Sequence, residues 1–183
     1  MTNITLAVTG SISAYKAADL TSALGKLGHT VTVLMTDAAQ AFITPMTLQV
    51  LSKRPVHTNV MAEDRADVVN HIDLAKETEL FLVAPASADT IARLAQGRAS
   101  DIVSTVALAL PQDVKKLIAP AMNTNMYLNP LTQANIQTLA TVGFTEIEPK
   151  VAMLACGDLG RGALANVEDI VQAVQQACHT LSL

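Results

Sequence analysis

The sequence predicts a single α/β domain built on a doubly wound, mostly parallel sheet. Three observations carry that prediction. Short apolar runs at residues 4–9, 30–35, 80–84 and 116–119 have the length of strands buried on both faces. Segments with helical spacing alternate with them. Half of the 183 residues are apolar and only 15% are charged, yet the excess is spread over Ala, Leu, Val and Ile in short segments. That length is enough for one large domain with a full core.

Taken in order, residues 4–9 form the first strand and end at Gly10. Residues 13–27 read as a helix with Ala14, Ala17, Ala18, Leu20, Leu24 and Leu27 on its apolar faces, stopped by Gly28. Residues 30–35 follow as a strand, completing a βαβ unit with a right-handed crossover. Short helices are expected at 38–43 and 45–51, and residues 52–69 are the least regular part of the chain. A third strand at 80–84 precedes helices at 88–95 and 101–110. A fourth, at 116–119, precedes a helix at 130–142 that Gly143 ends. Residues 144–147 are a fifth strand candidate, and Asn166 caps a last helix at 167–178. Between them, residues 148–165 carry Gly157, Gly160 and Gly162 around Cys156 and Asp158 with little periodicity. A loop of that length in a compact domain is usually either functional or disordered. The expected architecture is a Rossmann- or flavodoxin-like three-layer sandwich over 1–183, with a flexible flap at about 148–165.

Composition narrows the function. Mean hydropathy is +0.35, but no run approaches the ~20 apolar residues of a membrane span. The start, Met1-Thr2-Asn3-Ile4, lacks a basic leader region. A net charge of −4 without a basic stripe argues against nucleic acid and anionic membrane as partners. Two cysteines, Cys156 and Cys178, give neither a disulfide framework nor metal spacing. The reading is a cytoplasmic, thiol-reduced protein without a metal, and the apolar content hints at an oligomer.

Candidate site residues fall at strand ends, where open α/β sheets place ligands. Residues 117–127 run from an apolar strand through Pro120 into a Met-flanked loop with Asn123 and Asn125. Asparagine offers a neutral donor and acceptor suited to holding a carboxylate, or it caps the next helix. Gly10-Ser11-Ile12-Ser13 presents backbone N–H groups and two hydroxyls, with Ser13 as a cap in the plainer reading. Its single glycine departs from the GxGxxG of dinucleotide sites and suits one phosphate. Thr36 and Ser87 open the segments after the second and third strands, where either residue can also cap a helix. His71 sits among apolar residues, a setting more often structural than catalytic. Cys156 is a thiol in a glycine-rich loop, able to close over a ligand and deliver a proton. His29, His57 and His179 carry no assignment, and Cys178 reads as structural.

Together these stretches resemble the homo-oligomeric flavin-containing cysteine decarboxylase family. Residues 120–127 resemble its PxMNxxMW signature, with Tyr127 in place of Trp. Residues 9–16 resemble TGSIAAYK, and residues 85–90 resemble PASANT with Asp89 replacing Asn. His71-Ile72-Asp73-Leu74 is similar to the family's histidine element. Residues 155–162 resemble the ACGDxGxG flap of one branch, the 4′-phosphopantothenoylcysteine decarboxylases. Ala163 and Leu164 stand where that pattern often carries Arg-Met. The resemblance runs over roughly residues 4–174 and keeps the family order.

The resemblance implies FMN held by Gly10, Ser11, Ile12, Thr36, Phe42, Ser87, Ala88, Asp89, Thr90 and Ala121. It implies substrate contacts from Asn123, Met126, Met153 and Ala155. The implied reaction is decarboxylation of 4′-phosphopantothenoylcysteine to 4′-phosphopantetheine in coenzyme A biosynthesis. Thiol oxidation to a thioaldehyde creates the electron sink, CO₂ leaves, and the resulting enethiol is reduced. His71 handles proton transfer at oxidation, Asn123 orients the carboxylate, and Cys156 protonates at the final reduction. A homotrimer, or a dodecamer built of trimers, is implied, with flavin and His71 meeting Asn123 across a subunit boundary. A fused synthetase domain is not expected. Three other readings compete. Peptidyl-cysteine decarboxylases of the lantibiotic type lack the ACGD flap, and flavin prenyltransferases do not share the His-Ile-Asp-Leu and PAMN combination. Non-enzymatic regulatory relatives that inhibit a phosphatase typically carry long acidic or disordered extensions.

Overall fold

The computed structural model describes residues 1–62, 69–153, 157 and 159–179. Six strands form one sheet: β1 (Asn3–Val8), β2 (Thr30–Met35), β3 (Val56–His57), β4 (Leu80–Ala86), β5 (Lys115–Pro120) and β6 (Phe144–Glu146). Their order is β3-β2-β1-β4-β5-β6, and every pairing is parallel.

A strand covered on both faces must be apolar at every position, and β4 is buried from end to end. Its pleat divides the side chains between two cores. Leu80, Leu82 and Ala84 join Leu20 and Leu24 of α1 (Ala17–Lys26), Leu48 of α2 (Pro45–Ser52), and Ile170 and Val174 of α8 (Val167–His179). Phe81, Val83 and Ala86 face the opposite layer. There they meet Leu74 of α3 (Asn70–Glu77), Ile91 of α4 (Ala88–Ala95), and Ile102, Val103 and Val106 of α5 (Ile102–Ala109). Tyr127 of α6 (Thr124–Leu128) and Ile136 and Leu139 of α7 (Pro130–Thr141) complete that layer. The three-layer α/β architecture is as expected.

The strand order reverses between β1 and β4, so their carboxyl ends diverge there and leave a crevice. Thr9, fully buried, ties the two ends together. Its hydroxyl donates to the Pro85 carbonyl at 2.7 Å and accepts from the Ser87 N–H at 2.9 Å. Beside it, a Cβ at position 10 would run into the Cβ of Ala38, so only glycine lets the β1 turn pass.

Two expected helices begin or persist as tighter 3-10 turns. The helix expected at 13–27 opens as Ile12–Lys16 before α1, and that expected at 38–43 is Asp37–Ala41. Ser11 and Thr36 cap these turns, their side-chain oxygens accepting from the N–H of Ser13 and of Ala39. β3 and α3 are elements beyond those expected from periodicity.

The larger correction concerns residues 148–165. They hold an antiparallel hairpin, β7 (Lys150–Met153) with β8 (Leu159–Ala163), rather than a structureless loop. Gly162 lies at φ +147, and a Cβ there would strike the Met122 carbonyl oxygen. The hairpin docks at that point, where the Met122 N–H donates to the Gly162 carbonyl at 2.9 Å. A glycine required for docking has no side chain to contribute to an alternating pattern, so this strand is invisible to periodicity. Among the described residues, no helix is long and apolar enough to cross a membrane, and no cluster of potential metal ligands occurs.

Candidate active site

A cavity of about 560 Å³ opens over the carboxyl ends of β1, β4 and β5. Its size is ordinary for a cofactor or small-ligand site. The Gly10–Ser11–Ile12 turn forms one wall, and Ser87 and Ala88 at the start of α4 form another. Ala121, Asn123 and Met126, from the end of β5 and from α6, form a third. The hairpin closes over them with Met153. Phe42 also reaches the cavity from the turn after β2. Four stretches far apart in sequence, all singled out in it, therefore meet in one place.

Local chemistry fixes these side chains. Ser87 caps α4, its Oγ accepting from the Thr90 N–H at 3.2 Å. Asn123 caps α6 through Oδ1, which accepts from the Asn125 N–H at 2.8 Å. Asn123 thus caps α6 and lines the cavity at once. Tyr127 anchors α6 from below: it is buried, and its phenol donates to Glu146 Oε1 at 2.9 Å. Burial, reinforced by the Glu146 carboxylate, holds the Tyr127 phenol above its usual pKa range.

Other expected residues stand outside the cavity wall. Thr36 is buried and spends its hydroxyl on the Ala39 N–H. Thr90 is buried beneath Ser87, receiving its hydroxyl proton at 3.1 Å. Asp89 is paired with Arg93 Nε at 2.8 Å and is not part of the cavity lining. His71 lies on α3, and its Nδ1 is buried with no hydrogen-bond partner among the described residues. Within one chain the structure does not bring His71 to the cavity that holds Asn123. Cys156 and Ala155 lie outside the described residues.

The structure also adds residues. Lys16 and Lys150 line the cavity, as does Met122. Lys16 had a signal, since it closes the 9–16 motif. Lys150 had none, because only the hairpin register brings it there.

The wall is amphipathic. Ile12, Tyr15, Phe42, Met122, Met126 and Met153 offer apolar surface, while Ser11, Ser13 and Ser87 offer hydroxyls. Such a lining suits a flat aromatic ring system carrying a polar tail. A parallel sheet with its ligand crevice at the strand-order reversal defines a nucleotide-type α/β binding protein.

Comparison with known proteins gives the family: the chain belongs to the Flavoprotein family, whose model matches residues 1–179. Its cofactor is accordingly a flavin. A probable phosphopantothenoylcysteine decarboxylase of Streptococcus mutans is 61% identical over 173 residues, covering 94% of this chain and 97% of that protein. The coenzyme A biosynthesis bifunctional protein of Bacillus subtilis is 42% identical over 174 residues. That match covers 95% of this chain but 42% of the relative, so this chain spans less than half of it. A solved structure of a PPC decarboxylase mutant complexed with pantothenoylaminoethenethiol matches with a TM-score of 0.89 at 28% identity. That match covers 96% of this chain and 97% of the other.

Proposed function

We propose that this protein is an FMN-dependent enzyme that decarboxylates 4′-phosphopantothenoylcysteine to 4′-phosphopantetheine, a step of coenzyme A biosynthesis. The observation that carries the reading is the meeting of the Gly10 turn, the Ser87 cap and the Asn123 loop in one amphipathic cavity. A turn with one glycine suits the single phosphate of FMN better than a dinucleotide. The gene product's relatives support the substrate, and its location is taken as cytoplasmic.

The bound flavin supplies two-electron oxidation of the substrate thiol and the matching reduction at the end. The chain's own residues bind, orient and move protons. Asn123, held rigid by its cap, presents an amide to the substrate carboxylate without protonating it, so the group stays ionised and leaves as CO₂ while the C–C bonding pair passes into the thioaldehyde, giving the enethiol. Met126 and Met153 flank the substrate with adaptable apolar surface. Cys156 delivers the last proton from the flap, and His71 exchanges a proton with the substrate during oxidation.

For His71 to do so, it must come from a neighbouring copy of the chain. Support for a homo-oligomer, trimeric or a dodecamer of trimers, comes from apolar side chains left in water around the cavity. Ile12, Tyr15 and Met126, all on the cavity wall, are 58%, 56% and 50% exposed, a costly arrangement unless another surface covers them.

Mass spectrometry of the yellow, purified protein with 4′-phosphopantothenoylcysteine tests the reading. Loss of one CO₂ to saturated 4′-phosphopantetheine is the expected result. A product two hydrogens lighter indicates the half reaction of peptide-type enzymes, and absence of turnover with flavin bound removes the decarboxylase assignment.

A further inference from the structure

The described cavity wall contains two cationic side chains, Lys16 and Lys150, and no carboxylate, in a chain whose net charge is −4. Positive charge gathered against the overall balance marks a place for an anion. Lys16 follows directly on the Gly10–Ser13 turn. Lys150 is on a different wall, the first residue of β7.

Lys150 is held in place. Its ammonium donates to Asn166 Oδ1 at 2.6 Å, and Asn166 Nδ2 donates in turn to Asp169 Oδ2 at 2.9 Å. The relay ties the hairpin's first residue to the start of α8. An ammonium has three N–H donors, and this bond uses one. Its partner is a neutral amide oxygen, so the charge is oriented without being cancelled. A lysine fixed beforehand also loses less rotamer freedom on meeting a ligand. Directly across the strand pair stands Ala163, which lines the same cavity but is too short to compete for that ligand.

We infer that Lys150 is the residue that selects a phosphorylated substrate: its ammonium binds the phosphate monoester at the far end of the pantothenoyl chain from the reacting cysteine. The inference rests on the decarboxylase reading and deepens it. Two phosphates have to be placed in this cavity, the cofactor's and the substrate's. The Gly10–Ser13 turn takes the first, and the hairpin lysine takes the second. Because Lys150 is on the hairpin, phosphate binding also fastens the hairpin over the substrate.

Titration calorimetry on the flavin-loaded protein, comparing 4′-phosphopantetheine with pantetheine, tests this assignment. The unaltered protein is expected to prefer the phosphorylated ligand by roughly 10- to 100-fold, the size of one charge-assisted hydrogen bond. Lys150→Met should erase most of that preference while leaving pantetheine affinity and flavin retention as they were. Lys150→Arg should keep it. The double variant Lys150→Met with Ala163→Arg should restore it, because the cation returns from the opposite strand. An undiminished preference in Lys150→Met overturns the assignment. So does a loss of flavin with the preference intact, which would give Lys150 to the cofactor's phosphate. Turnover of 4′-phosphopantothenoylcysteine by the unaltered protein is scored separately. Its absence removes the decarboxylase reading, while the binding ratio still decides the role of Lys150.

Discussion

The phenol of Tyr127 donates a 2.9 Å hydrogen bond to Oε1 of Glu146, joining α6 to β6 beneath the loop that carries Asn123. The bond lets a tyrosine fill the buried position where the family signature has tryptophan. Its hydroxyl also needs a partner there. Tyr127→Phe should cost about 1 kcal/mol, or roughly 2–4 °C in Tm for a chain of this size. The deficit has a pH signature. Burial raises the folded-state phenol pKa, so the protonated group contributes stability that is complete below the unfolded value near 10 and disappears as pH rises through the folded value. Thermal melts of the two proteins should therefore differ at pH 7 and converge well above pH 10. A constant gap across that range would remove the proton from the account.

Asn123 both caps α6 and faces the cavity, and one substitution separates these duties. Aspartate caps a helix as well as asparagine does. Asn123→Asp should therefore melt at an unchanged temperature and keep its flavin. It should lose about 100-fold or more in kcat/KM, because a carboxylate now opposes the substrate carboxylate. Full activity in that variant would sink the orienting role.

His71 and Asn123 do not share a cavity within one chain. If the working site is shared between copies, His71→Asn and Asn123→Asp should each be inactive alone yet regain activity when co-expressed. Random mixing leaves about one quarter of shared sites with both native residues. Mixed oligomers without any recovered turnover would place the two residues in one chain's site or outside the mechanism.

His29 is a quieter case. Burial, with a smaller contribution from the N-terminal ammonium, lowers its pKa, and its Nδ1 is buried without a partner among the described residues. The lowered value means that stability is complete above the ordinary pKa of 6.5 and is lost as pH falls through the folded value. His29→Gln should flatten the acid side of the stability profile below pH 6.5 while leaving turnover near neutrality unaltered. Urea midpoints measured between pH 4.5 and 7.5 would show this.

Much of the fold was legible because parallel strands buried on both faces announce themselves. Residues 80–84 have the length and apolar continuity of such a strand, and β4 is buried throughout. The cavity's turns were legible for a related reason: ligands in such sheets sit at strand ends, and the strand ends were visible. Gly10, Ser87 and Asn123 were found in this way, and all three line the cavity. Thr36, Thr90 and Asp89 were named with them through the family resemblance; within this chain their side chains engage a cap, a neighbouring hydroxyl and Arg93.

What the sequence determined by itself was local: where the long strands β1, β2, β4 and β5 run, that Thr36, Ser87 and Asn123 can cap, and which loops carry amide, hydroxyl and thiol groups. Tertiary structure alone decided which of these groups meet. The β7–β8 hairpin docks where Gly162 fits against the Met122 carbonyl, and the strand register puts Lys150 opposite Ala163 on the cavity wall. Periodicity records how a residue relates to its neighbours along the chain. A glycine chosen for contact with another element, or a lysine placed by register, satisfies a constraint that arises only when distant segments pack.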